Sequence, residues 1–183
     1  MLKPNTDIRI PRNETEKHFL LKNVALSLLK NNYSSKFAAT EVELGLFYCT
    51  ELREKYRDFN WHKKVADAVG IQRKYLSEEE GYRFVVRNIE VKMTLADLDR
   101  GYCTTGDLNY LMTTKSSPIK EDDVLPFMGY IEVDLDKLKW ENGFVDIEGV
   151  NIIREAREVN KRRKKRKARE SLNDVNNRWK VKF

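Results

Sequence analysis

Between Glu14 and Asn31 the apolar residues Leu21, Val24, Ala25, Leu28 and Leu29 recur at intervals of three and four, which places them on one face of a helix. Asn13 and Thr15 stand where a helix cap is needed, and Asn31-Asn32 where the helix should end. The spacing then changes. Val65-Ala66-Asp67-Ala68-Val69-Gly70-Ile71 is apolar at nearly every position, which predicts a strand covered on both faces, yet it holds one acid. Phe84 to Met93 predicts its partner strand, in which Ile89, Val91 and Met93 face one side while Glu90 and Lys92 share the other. The polar stretch from Gln72 to Gly81, with Ser77-Glu78-Glu79-Glu80-Gly81 at its end, predicts an exposed connection between the two.

The remaining elements follow from the same patterns. Phe37 to Phe47, containing Glu41-Val42-Glu43-Leu44-Gly45, fits either the end of a helix or a first strand. Leu52, Tyr56 and Phe59 are spaced for a short helix inserted near residues 50–60. Thr94 can cap a helix with Leu95, Leu98 and Tyr102 as its apolar side. Asn109 to Thr114, Gly129 to Val133 and Phe144 to Val150 read as further strands. From Asn151 onward, Ile152, Ile153, Ala156 and Val159 suggest a helix that fades into a basic run. The expectation is one α/β domain over residues 1–153, a mixed sheet flanked by helices, followed by a basic helix or tail over residues 154–183.

Charge sharpens that division. The segment from Arg154 to Phe183 has 13 Lys/Arg against 4 Asp/Glu, a net +9, whereas the rest of the chain has 22 against 25, a net −3. Lys161, Arg162, Arg163, Lys164, Lys165, Arg166, Lys167 and Arg169 are eight cations in nine positions, too concentrated for a mixed-sign surface. Such a run points to a polyanion, and nucleic acid is the expected partner. No aromatic residue interrupts it, so charge attraction rather than base stacking is expected there. The 40% hydrophobic content over 183 residues suffices for a real core. Met1-Leu2-Lys3-Pro4-Asn5 lacks the apolar core of a secretory signal, and no apolar run approaches the ~20 residues of a membrane span. A cytoplasmic protein is expected. Cys49 and Cys103 suggest neither a disulfide framework nor a metal-ligand pair. His18 and His62 sit in no nucleophile or zinc pattern, and no Gly-rich phosphate loop occurs.

The candidate chemistry lies in the two central strands. An isolated buried carboxylate is costly unless compensated, and two carboxylates ~4 Å apart repel by about 4 kcal/mol at an effective dielectric near 20. Asp67 and Glu90 on neighbouring strands would therefore call for a cation. Mg²⁺ or Mn²⁺ suits them, being held by hard oxygens, often one or two carboxylates and a substrate phosphate. Lys92 could then hold the attacking water or offset charge on a scissile phosphate. Read alone, Glu-x-Lys on a strand is most often an exposed cross-strand charge pair, and an isolated buried acid such as Asp67 can be a structural hydrogen-bond acceptor; Asp67 inside an apolar strand shifts the balance towards a site.

Together, Val65-Ala66-Asp67-Ala68-Val69, Ile89-Glu90-Val91-Lys92 and Thr94-Leu95-Ala96-Asp97-Leu98, preceded by Glu41-Val42-Glu43-Leu44-Gly45 and followed by Asn109-Tyr110-Leu111-Met112 and Leu125-Pro126-Phe127-Met128-Gly129-Tyr130-Ile131, resemble the PD-(D/E)XK nuclease superfamily, in particular its small phage and prophage members. The resemblance covers roughly Phe37 to Val133. It implies a restriction-endonuclease-like α-β-β-β-α-β core in which one strand presents an acid and the next presents Glu-x-Lys around a metal, often aided by a glutamate from the first helix. Asp67, Glu90 and Lys92 then take the metal and catalytic roles, with Glu41, or Glu43 in its place, as auxiliary acid. The implied activity is Mg²⁺- or Mn²⁺-dependent hydrolysis of DNA, in a bacterial host cell if phage-encoded, with a homodimer as one possible assembly. Two alternatives remain open: a nucleic-acid-binding module on the same fold without turnover, and a protein-binding host-takeover factor.

Overall fold

The computed structural model describes residues 6–7, 15–43, 65–78, 81–99, 106–141, 144–145 and 147–158. The expected helix near 50–60, both cysteines, His62 and the basic run from Lys161 to Arg169 lie outside those residues, as does the side chain of Glu43.

Helix α1 spans Glu16–Asn31 and starts as its sequence requires, with the Thr15 hydroxyl accepting from the His18 backbone N–H at 3.3 Å. Every residue from Leu21 to Leu29 is buried, so the helix is enclosed nearly all round. Its apolar residues meet Ala38, Ala68, Ile89, Val91, Tyr110, Met112, Ile131 and Val133 from the sheet.

Among the described residues seven strands form that sheet: β1 (Thr6–Asp7), β2 (Phe37–Glu43), β3 (Val65–Ser77), β4 (Gly81–Val91), β5 (Leu108–Thr114), β6 (Gly129–Val133) and β9 (Val150–Arg154), side by side in this order. The short strands β7 (Trp140–Glu141) and β8 (Phe144–Val145) form a separate ribbon. β2, β3 and β4 run as an antiparallel meander, β4, β5 and β6 are parallel, and β9 returns antiparallel to β6. The crossover from β4 to β5 contains α2 (Leu95–Asp99), and Thr94 caps it by accepting from Asp97 N–H at 3.1 Å. The mixed α/β sheet expected from the sequence is therefore present. On a second face, Leu111 and Tyr130 pack with Ile119, Val124, Leu125, Phe127 and Met128 of the β5–β6 connection. No helix of the described residues is long and apolar enough to cross a membrane.

Two expectations are corrected. Gln72 to Ser77 is not a connection but the outer half of β3, paired with β4 from Val85 back to Gly81. Its polar composition misled because a two-stranded ribbon exposes both faces and needs no apolar alternation. The turn is tightened by Gly81, whose φ of 67° lies in the left-handed region that glycine tolerates. The stretch from Asn151 to Arg154 is not helical either: Val150 pairs with Val133 and Ile152 with Ile131, while the expected helix beyond residue 158 lies outside the described residues. The β-branched residues Val150, Ile152 and Ile153 satisfy a strand, and β9 covers what would be the open edge of β6. Arg154, counted with the basic tail, is structural: its guanidinium donates to the carbonyls of Met128 and Val124 at 3.0 and 3.1 Å.

At Gly70 α1 presses close on β3. A Cβ there would stand 2.7 Å from Leu29 Cδ2, nearer than side chains tolerate. Gly70→Ala is expected to cost about 1–3 kcal/mol, the usual range for overpacking. Thermal melting checks this, and an unchanged melting temperature would mean that the helix can lift from the sheet.

Candidate active site

The β3–β4 ladder is regular down to the pair Ala68 and Ile89. Continuing that register by one residue sets Asp67 opposite Glu90. On the other side of β3, Thr40 pairs with Ala68 and Val42 with Ala66, so Glu41 stands opposite Asp67. Three strands thus place Glu41, Asp67 and Glu90 in one row. Glu41 interrupts the β2 ladder, with φ at 52°, a strained backbone for a residue with a side chain.

Beyond Ile89 the acids replace main-chain acceptors between the strands. Val91 N–H donates to Asp67 Oδ2 at 2.8 Å, and Asp67 N–H donates to Glu90 Oε1 at 3.2 Å. Each carboxylate is thereby held by the main chain of the other strand. Both acids are almost wholly enclosed: Glu90 is 0% and Asp67 3% exposed. Lys92 follows directly after β4, on the Glu90 side of the strand; its N–H donates to Met112 O at 3.0 Å, and its side chain is buried too.

The sequence called for a cation beside these acids, and α1 supplies two. His18 and Lys22 are four residues apart and so project from one face of the helix. Lys22 Nζ is paired with Glu41 Oε1 and lies 3.8 Å from Asp67 Oδ1. His18 Nε2 lies 3.8 Å from Asp67 Oδ2 and donates to the Val91 carbonyl at 3.2 Å. Burial pushes the His18 imidazole down, but its hydrogen bond to Asp67 and the charge of that carboxylate outweigh burial, so its pKa is raised above the usual histidine value. The His18 imidazolium therefore contributes stability that is full below the unfolded-state value near 6.5 and is lost as pH rises through the folded value. Asp67→Asn should drop the His18 pKa below the ordinary value, since burial then acts with little opposition. Proton NMR titration of the ring reads this directly, and an unmoved titration would separate His18 from Asp67.

Neither Lys22 nor His18 was picked out from the sequence. Lys22 carried the same signal as Asp67, an ion inside a buried apolar run, Leu20-Leu21-Lys22-Asn23-Val24-Ala25, but the helical spacing of the apolar residues drew attention away from it. His18 offered no local pattern; only the i, i+4 relation to Lys22 links them.

Around Lys22 Nζ and His18 Nε2 stand oxygens of Glu41 and Asp67 and the Val91 carbonyl, all hard donors of the kind Mg²⁺ and Mn²⁺ take. Among the described residues no three His, Cys, Asp or Glu side chains form a ready metal cluster. The donor chemistry fits a hard divalent ion where the Lys22 ammonium yields its place. Solvent reaches the site past Glu41 and His18, whose side chains are 23% and 26% exposed. On the same edge of the sheet, where β5 and β6 end, an open pocket is lined by Lys17, Thr114, Ser116 and the ion pair of Lys115 with Asp134. Set beside known proteins, the chain matches no family model, no curated protein and no solved structure.

Proposed function

We propose that this protein is a metal-dependent nuclease of the PD-(D/E)XK type that hydrolyses phosphodiester bonds of DNA. The observation that carries the reading is the interlocked pair of acids: Asp67 and Glu90 each accept from the main chain of β3 or β4, with Lys92 two residues beyond Glu90. The order α1, β2, β3, β4, α2, β5 supports it, being the α-β-β-β-α-β succession that the resemblance implies. So does the edge position of the site, where the parallel strands β4 and β5 end.

In this reading Asp67 and Glu90 hold Mg²⁺ or Mn²⁺ and Glu41 assists. The bound ion would supply Lewis acidity and a water of lowered pKa. Lys92 orients that water or offsets the charge that grows on the scissile phosphate. Lys22 neutralises Glu41 and Asp67 before the ion arrives, and His18 keeps a donor on the Val91 carbonyl. The test is incubation of the purified chain with single- and double-stranded DNA, with and without Mg²⁺ or Mn²⁺. Cleavage should require the metal and be lost in the Asp67, Glu90 and Lys92 variants. Equal residual activity in wild type and variants would dismiss the reading.

A second reading is favoured by one observation, the Lys22 ammonium seated between Glu41 and Asp67. It makes the protein a nucleic-acid-binding module on the same fold without turnover. Both readings assign the basic tail to phosphate contacts. If about six of its charges meet phosphates, the logarithm of the binding constant should fall with the logarithm of salt at a slope near −5, and removing Lys161 to Arg169 should flatten it. A slope near zero in the intact chain would point instead to an acidic protein partner.

A further inference from the structure

The hairpin of β3 and β4 outruns the sheet. Pairing of β2 with β3 stops at Phe37 and Ile71, and pairing of β5 with β4 starts at Leu108 and Arg87. The stretches 72–77 and 81–85 are therefore bonded as strands only to each other, a two-stranded ribbon. At about 3.3 Å per residue, Tyr75 stands roughly 26 Å along β3 from Asp67. This ribbon is remote from the acids and takes no part in their chemistry.

Its surface is unusual for a solvated hairpin. Tyr75 and Tyr82 face each other across the strands with ring centres 5.2 Å apart in an edge-on arrangement, and they are 51% and 55% exposed. The Arg73 guanidinium lies over the Tyr82 ring at 3.7 Å, and Arg73 is itself exposed. On the opposite face Lys74 pairs with Arg83 in register, and Arg83 makes a bidentate ion pair with Glu158 at 2.9 and 3.1 Å. Glu158 stands three residues before the basic run that begins at Lys161. The ion pair thus holds Glu158 against the aromatic ribbon.

Exposed aromatic rings beside cations are the means by which proteins hold unpaired nucleotides: bases stack on the rings while the cations meet the backbone. We propose that the β3–β4 ribbon is a contact surface for single-stranded nucleic acid, with bases stacked on Tyr75 and Tyr82 and phosphates met by Arg73. Glu78, exposed just beyond the end of β3, repels phosphates there, which favours a strand lying along the flank of the ribbon. A duplex, whose bases already stack on one another, has no use for the rings. The proposal deepens the nuclease reading by naming unpaired bases as the chemistry recognised outside the acid site, and its test is kept separate by leaving out divalent metal.

The experiment is fluorescence anisotropy of a labelled oligothymidine of about 20 nucleotides, titrated with the full chain in EDTA, against a duplex of the same length. Replacing both tyrosines, Tyr75→Ala and Tyr82→Ala, should weaken single-strand binding by about tenfold or more, with duplex binding changed less than about threefold. Tyr75→Phe with Tyr82→Phe should bind like wild type, because the stacking face is kept. Arg73→Gln should lower the salt slope by about 1, whereas the alanine pair should leave it unchanged. Independently of any variant, ultraviolet cross-linking of wild type to an oligonucleotide carrying 5-iodouracil should give adducts at Tyr75 or Tyr82. Full single-strand affinity in the alanine pair, equal losses on duplex and single strand, or adducts confined to other residues would each overturn the proposal. Metal-dependent cleavage of duplex DNA alongside such a failure would leave the nuclease reading standing.

Discussion

Asp67→Asn should lower metal-dependent cleavage of DNA by at least about a hundredfold while the chain remains folded. The substitution keeps an oxygen for the Val91 N–H, which Asp67 now accepts at 2.8 Å, so the bridge between β3 and β4 persists. What is lost is the negative charge. Removing one preorganised electrostatic group from a site of this kind typically costs about 10² to 10³ in rate. Glu90→Gln should act in the same direction, because Gln retains an acceptor for the Asp67 N–H. On the proposed reading the two losses should not multiply, since both acids would serve one ion. Single-turnover cleavage at saturating DNA separates this from weaker binding. Loss of affinity with an unchanged cleavage rate would place Asp67 in substrate binding instead.

Lys22→Met should destabilise the metal-free protein by about 3 kcal/mol at neutral pH. Removing one partner of a buried ion pair costs about 3–5 kcal/mol, and the partial exposure of Glu41 puts this case at the lower end. Methionine fills a similar volume, so the loss reports charge rather than a cavity. For a chain of this size it corresponds to a melting temperature lower by roughly 6–12 °C. Glu41 and Asp67, no longer neutralised from α1, should then take a divalent ion more readily than in wild type. Mg²⁺ or Mn²⁺ at about a hundred times its dissociation constant should return about 2.7 kcal/mol. Melting curves with and without metal check both statements. A variant as stable as wild type and indifferent to metal would mean that Lys22 is a spectator and that the acids need no cation.

The sheet and its central acids were legible because they follow local rules. A fully apolar run with one acid gave β3, alternation gave the Ile89, Val91 and Met93 face of β4, and Ile89 and Val91 indeed meet α1. The site also depends on features that local patterns do not carry. The direct hydrogen bonds between acids and main chain arise because the ladder ends at Ala68 and Ile89, a register property with no signature in composition. The ribbon of Tyr75 and Tyr82 was hidden by its polarity, since cross-strand ring and cation contacts rather than burial hold it. β9 was misread because Ile152, Ile153 and Ala156 satisfy a helical stripe as well as a strand, and only the open edge of β6 decides between them. Lys22 was missed for a different reason: its partners Glu41 and Asp67 are 19 and 45 residues away in sequence, so nothing near it announces a counter-charge.

The account stands on Asp67 and Glu90 sharing one divalent ion, and crystals soaked in Mn²⁺ test this most directly through anomalous scattering. A single strong peak within roughly 2–2.5 Å of a carboxylate oxygen from each residue, with the Lys22 ammonium turned away from Asp67, is the predicted result. Crystals that bind Mn²⁺ elsewhere, or not at all, while Lys22 stays between Glu41 and Asp67, would contradict it.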